Sequence, residues 1–161
     1  MIPADLKAAL ERRAADALNP REAAVDVLKS LQTHYGWLTD QAMDEAACIT
    51  GLSPLQLEEL ATFYDMLYRR PVGRHVIHAC DSISCWNMGG SSLMRSLEML
   101  LGVAAGETTP DGLFTLLPCS CLGNCGAAPA MMISNRPYGP VTAETAAALL
   151  KEIRGSGPFP S

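Results

Sequence analysis

The sequence predicts an α+β chain: a small bundle of helices over residues 1–70, a mixed strand-and-helix domain over 71–154, and a loose tail over 155–161. Three observations predict it. Apolar residues recur at helical spacing as far as Pro71, and short apolar runs suited to strands appear beyond it. Four cysteines in two tight pairs then follow two of those runs. With 48% of its 161 residues apolar, the chain can pack a core without disulfide staples.

A first helix is expected over about residues 5–18. Asn19-Pro20 then supplies an N-cap followed by proline at the first helical position. Ala24, Val27, Leu28, Leu31 and Tyr35 follow at helical spacing, and Gly36 ends the run. A short helix over about 40–49 stops at Gly51. Ser53-Pro54 repeats the start signal, and Gln56 completes a capping box for a helix carrying Leu55, Leu57, Leu60 and Phe63.

Beyond Pro71, residues 75–79 read as a strand that runs into Cys80. Leu93, Met94, Leu97, Leu100 and Leu101 mark a helix that Gly102 ends. Residues 113–118 form a second strand and 130–134 a third, with a short fourth after a turn at Asn135-Arg136. Thr142 caps a last helix that runs to about Arg154. Strand, helix, strand, hairpin, helix is the order of a thioredoxin-like core, and its first crossover should be parallel and right-handed.

Composition narrows the function. The net charge of -5 and the scattered Lys and Arg argue against nucleic acid, which needs clustered cations to meet phosphate. Asp5, Lys7, Glu11, Arg12 and Arg13 interrupt any apolar leader, so no secretory signal is expected. The longest nearly apolar stretch, near 99–105, is far short of the roughly 20 residues a membrane span needs. The expectation is a soluble cytoplasmic protein whose cysteines are thiols or metal ligands before they are disulfides.

Cys80 and Cys85 have four residues between them, and Cys121 and Cys125 have three. Both pairs follow strand ends, which a parallel pair of strands would bring to one edge. Four thiolates gathered there hold an iron–sulfur cluster or a zinc ion. Structural zinc sites more often use two-residue knuckles, but the spacing alone leaves both open. A dithiol redox site is disfavoured because no C-x-x-C occurs. Around the second pair, Gly123 and Asn124 tolerate positive φ, and Gly126 continues the turn. Gly89-Gly90 suits a similar role beside the first pair. Ser82, Ser84 and Ser120 offer hydroxyls to the sulfurs.

Other residues near the pairs compete for roles. Cys119 lies two residues before Cys121, so an extended segment would put it on the same side, where it could replace Cys121 as ligand. Cys48 is expected to be a small buried hydrophobe. His78 has a ligand-like offset from Cys80, but a surface strand position is the plainer reading. Trp86 either shields the site, anchors a partner or packs at a loop exit.

The sequence resembles the NuoE family, the thioredoxin-like [2Fe–2S] component of bacterial NADH:quinone oxidoreductase, respiratory complex I. The match is carried by His34-Tyr35-Gly36-Trp37, Ala61-Thr62-Phe63-Tyr64 and Pro71-Val72-Gly73-Arg74-His75. It continues through Cys80-Asp81-Ser82, Cys85, residues 108–118, Cys121-Leu122-Gly123-Asn124-Cys125 and Pro129. The resemblance implies a thioredoxin-like [2Fe–2S] ferredoxin domain behind a helical segment. It implies one [2Fe–2S] cluster on Cys80, Cys85, Cys121 and Cys125, exchanging single electrons with FMN on an FMN/NADH-binding partner subunit of the NuoF type. Other peripheral-arm iron–sulfur subunits would be neighbours, at the cytoplasmic face of the inner membrane and without insertion into it. Related subunits serve NAD-linked hydrogenases and formate dehydrogenases. Cys119 is an extra thiol beside the family motif. Asp81 should oppose reduction of the cluster, and Trp86, Met88 and the surface near Arg69-Arg70 are candidate partner contacts.

Overall fold

The computed structural model describes residues 2–155, and the chain divides after Pro71 into two compact units. The expected tail therefore lies outside the described residues, except for Gly155, which closes the last helix. Among the described residues no helix is long and apolar enough to cross a membrane.

The first unit holds α1 (Ala4–Asp16), α2 (Pro20–Tyr35), α3 (Asp40–Thr50) and α4 (Pro54–Phe63). Local chemistry sets their ends. Asn19 accepts the N–H of Arg21 at 2.9 Å, and Gly36, at φ 83°, donates its N–H to the carbonyl of Gln32. Thr39 caps α3 through the N–H of Ala42. Ser53 and Gln56 close the capping box in both directions. Each cap satisfies donors or acceptors that a helix end leaves open, at about 1 kcal/mol apiece.

These helices bury Val27, Leu28 and Leu31 of α2, Ala42, Met43, Ala46 and Ile49 of α3, and Leu57 and Ala61 of α4 around Leu38 and Leu67. Three details sharpen the sequence reading, and one of them, the exposure of Cys48, corrects it. On α4 the buried face is Leu57 and Ala61, four residues apart, which turns Leu55 and Phe63 outward to 80% and 75% exposure. Cys48 is exposed because α3 buries Ala46 and Ile49, and position 48 falls away from both. Helix α1 ends at Asp16, since Ala17 turns extended on the way to the Asn19 cap. The segment after α4 is tied back by Gln32, which donates to the carbonyl of Met66 and accepts the N–H of Tyr68. Arg69 clamps Glu58, Asp40 and the carbonyl of Leu38, so Arg70 is the exposed member of that dipeptide.

The second unit runs β1 (His75–Cys80), α5 (Ile83–Asn87), α6 (Gly90–Leu101), β2 (Phe114–Cys119), a 3₁₀ turn (Cys125–Ala127), β3 (Met131–Ile133), β4 (Arg136–Tyr138) and α7 (Ala143–Gly155). The sheet order is β2-β1-β3-β4, with β1 and β2 parallel and the remaining pairs antiparallel. In-register residues of a parallel pair share a face. Ile77 and Leu116 therefore point together into a core with Leu93 and Leu97 of α6 and Ala146 and Leu150 of α7. Cys80 and Cys119 are likewise opposite one another, with His78 on the same face of β1.

All six residues of β1 are buried, as in a central strand covered on both faces. His78 is thus a buried residue rather than the surface histidine expected. The second strand begins one residue later than the pattern suggested. The hairpin turn is Ser134-Asn135, at φ 46° and 68°, and Arg136 already belongs to β4. Two successive positive φ values match the right-handed twist of the flanking strands. Thr142 caps α7 as expected, accepting the N–H of Thr145.

Candidate metal centre

Strand β1 delivers Cys80 to the edge of the sheet, and the chain then enters the short helix α5, an element without an apolar period to announce it. Cys85 lies on that helix and is only 1% exposed. Gly89 takes φ 97° to turn the chain into α6. Strand β2 ends at the same edge with Cys119. Residues 120–124 follow without helix or strand, Gly123 takes φ 75°, and Cys125 opens the 3₁₀ turn. Asn124 stays at φ −104°, so the positive-φ position of this loop belongs to Gly123.

Two kinds of environment result. Cys80, Cys85 and Cys119 form a buried cluster with Ala128 and Ala130, and Leu122 packs against it. Cys121 and Cys125 are exposed, with their Sγ atoms 3.3 Å apart. The pairs touch one another electrostatically: Ser84 hydrogen-bonds Cys125, and Cys80 adds a repulsive influence on it. Ser84 is thus one of the predicted hydroxyls that does reach a sulfur.

Backbone donors serve both pairs. The N–H of Gly123 reaches Sγ of Cys121 at 3.4 Å. At the first pair the donor is the backbone of Ala130, which hydrogen-bonds the Cys85 thiol, while the Ala130 carbonyl accepts the N–H of Cys80 at 3.1 Å. The Gly123 hydrogen bond, and then that of Cys125, holds the Cys121 thiol below its ordinary range. Its partner Cys125 is raised, first by hydrogen bonding to Cys121 and then by the charge there. Burial pushes the Cys85 thiol up against the Ala130 hydrogen bond. Ala130 carries no side-chain signal in the sequence, since it acts through its backbone.

These donors suit a binuclear cluster. Such a cluster divides four thiolates between two irons and needs N–H donors toward its sulfurs. A single zinc ion instead needs its four ligands to converge on one point. The thiols lie as two neighbouring pairs, Cys80 with Cys85 and Cys121 with Cys125. Three apolar side chains beside the first pair, Ile83, Trp86 and Met88, are exposed, so Trp86 is not packed at a loop exit.

Comparison with known proteins agrees with this chemistry. A family model described as thioredoxin-like [2Fe–2S] ferredoxin matches residues 7–154. The E subunit of the NADH-quinone oxidoreductase of Pseudomonas aeruginosa is 42% identical over 133 residues, covering 83% of this chain and 80% of that protein. The protein of the same name from Escherichia coli is 41% identical over 136 residues, covering 84% and 82%. Among solved structures, an NAD+-reducing [NiFe]-hydrogenase in its air-oxidized state superposes with a TM-score of 0.68 at 26% identity. That likeness covers 82% of this chain but 23% of the hydrogenase chain, so this chain spans about a quarter of it. By the family model and by these relatives alike, the chain belongs to the thioredoxin-like [2Fe–2S] ferredoxin family.

Proposed function

We propose that this chain is the electron-transfer subunit of an NADH:quinone oxidoreductase, holding one [2Fe–2S] cluster on Cys80, Cys85, Cys121 and Cys125. The observation that carries the reading is the placement of two thiol pairs side by side at the ends of parallel strands. Bound there, the cluster supplies one-electron oxidation and reduction without transfer of a chemical group. The chain does the rest. Burial of Cys80 and Cys85 keeps water from one side of the site, while exposed Cys121 and Cys125 leave the other side open to a redox partner. Gly123 and Ala130 supply backbone donors to ligand sulfurs.

The partner in this reading is an FMN- and NADH-binding subunit of the NuoF type, approaching over Trp86 and Met88. The complex would sit at the cytoplasmic face of the inner membrane. Identities of 41–43% to proteins named as E subunits of NADH-quinone oxidoreductase, against 26% to the hydrogenase, support this parent enzyme over a hydrogenase.

Visible absorption, EPR and metal analysis on anaerobically purified protein test the assignment. A red-brown protein with about two irons per chain and a rhombic EPR signal after dithionite is expected. One zinc, no colour and no signal would turn the chain into a structural docking module. Mixing with the flavin-binding subunit and NADH should then generate the same EPR signal, and its absence would remove the proposed partner.

A further inference from the structure

The site holds a fifth thiol that the four-ligand assignment leaves unused. Cys119 is 5% exposed and lies in the same buried cluster as Cys80 and Cys85. It is the register partner of Cys80 across β1 and β2, so the two residues share a face on strands about 4.8 Å apart. Cys121, the ligand two residues later, is exposed and sits in a segment outside helix and strand. Cys119 ends β2 and Cys121 follows two residues beyond it, so both thiols stand at the same end of the parallel strands. Cys125 has no spare cysteine at comparable distance in the sequence.

We propose that Cys119 is a reserve ligand, able to take the iron position of Cys121 when that exposed thiol is lost. The inference rests on the [2Fe–2S] reading of the site. The exchange balances without any oxidant: the Cys121 thiolate leaves iron and takes up a proton, and the Cys119 thiol gives up its proton as its sulfur binds. The buried thiol holds the cluster in place if the outer one is oxidised or alkylated. In the intact site Cys119 remains an unligated neighbour of Cys80.

The test uses the full chain, purified anaerobically, as wild type and as Cys119→Ala, Cys121→Ala, Cys125→Ala and the Cys119→Ala/Cys121→Ala double variant. Alanine is chosen because a serine oxygen can itself bind iron. Iron and acid-labile sulfide contents, EPR g values after dithionite and circular dichroism are read for each. The Cys121→Ala chain should keep about two irons with shifted g values. The double variant and Cys125→Ala should fold but lose the cluster, and Cys119→Ala should match wild type. A folded but iron-free Cys121→Ala chain overturns the proposal. So does a double variant or a Cys125→Ala chain that keeps its cluster. Cys121→Gly gives a second reading should alanine disturb the turn. An iron-free wild type would instead overturn the [2Fe–2S] reading itself, a distinct result.

Discussion

Gly90 lies against the carbonyl of Cys85 so closely that a methyl group added to it would stand 2.8 Å from the oxygen and 2.9 Å from the carbon. The carbonyl of Cys80 would be 3.3 Å away. All three are backbone atoms, so none can swing aside as a side chain would. Gly90 starts α6, and its missing side chain is what allows the first cysteine loop to fold back onto that helix. Gly90→Ala should therefore lower stability by about 2 kcal/mol, the usual cost of overpacking a closed site. It should also reduce iron content, because Cys80 and Cys85 are pushed apart. Thermal unfolding and metal analysis read the two effects, and a variant with wild-type melting and full iron would show that the loop can yield.

Thr115 makes a second local commitment. Its hydroxyl accepts the N–H of Gly73 at 2.6 Å and lies 2.7 Å from the hydroxyl of Thr108, while the residue is 2% exposed. Valine has nearly the same shape but no hydroxyl, so Thr115→Val leaves those two half-buried groups without this partner. A loss of about 2 kcal/mol is expected from the stranded polar groups. Urea unfolding measures it. A stability equal to wild type would mean that water or another group replaces the hydroxyl.

Much of this architecture was legible because its signals are local. Asn19-Pro20, Gly36 and the Ser53–Gln56 box fix helix ends through atoms within a few residues, and the structure keeps all three. The cysteine pairs were legible for the same reason, and the parallel order of β1 and β2, with Cys80 opposite Cys119, is the one the crossover predicted. What was not legible depends on distant packing. Helix α5 has five residues, too few to show an apolar period, and it carries exposed Ile83 and Trp86 beside buried Cys85. His78 reads as surface until β3 is known to pair with β1 on the side away from β2. Leu55, Phe63 and Cys48 look like core by residue type, but their helices turn other faces inward. The backbone role of Ala130 leaves no trace in a side-chain pattern.

His75 gives the fold a pH dependence. Burial first, and the adjacent Arg74 second, lower its pKa from 6.5. Its Nδ1 lies 3.0 Å from the hydroxyl of Ser134. The folded state therefore resists protonation more than the unfolded chain does, and the unfolded state binds the extra proton. The resulting stabilisation is complete above pH 6.5 and is lost as pH falls from there through the lowered folded value. His75→Gln should flatten this part of the profile. Urea midpoints for both chains at several pH values check it, and parallel profiles would assign the acid sensitivity to other groups, the cluster included.

Asp81 follows Cys80 directly, is exposed, and is held at the sheet edge by its N–H, which donates to the carbonyl of Cys119 at 3.1 Å. In the proposed site four thiolates already carry negative charge and reduction adds one more, so a neighbouring carboxylate opposes it. In a water-like dielectric, a unit charge roughly 8 Å away changes the midpoint potential by on the order of 20 mV. Asp81→Asn removes that charge and keeps the shape, so the potential should rise by about this amount, whereas Asp81→Glu should leave it nearly unchanged. Because the carboxylate is exposed, salt should screen it, and the difference between wild type and Asp81→Asn should shrink as ionic strength rises. A redox titration followed by EPR at low and high salt tests both parts. A rise that survives high salt would point to a change in hydrogen bonding rather than in charge, and an unchanged or lower potential would remove Asp81 from the tuning of the site.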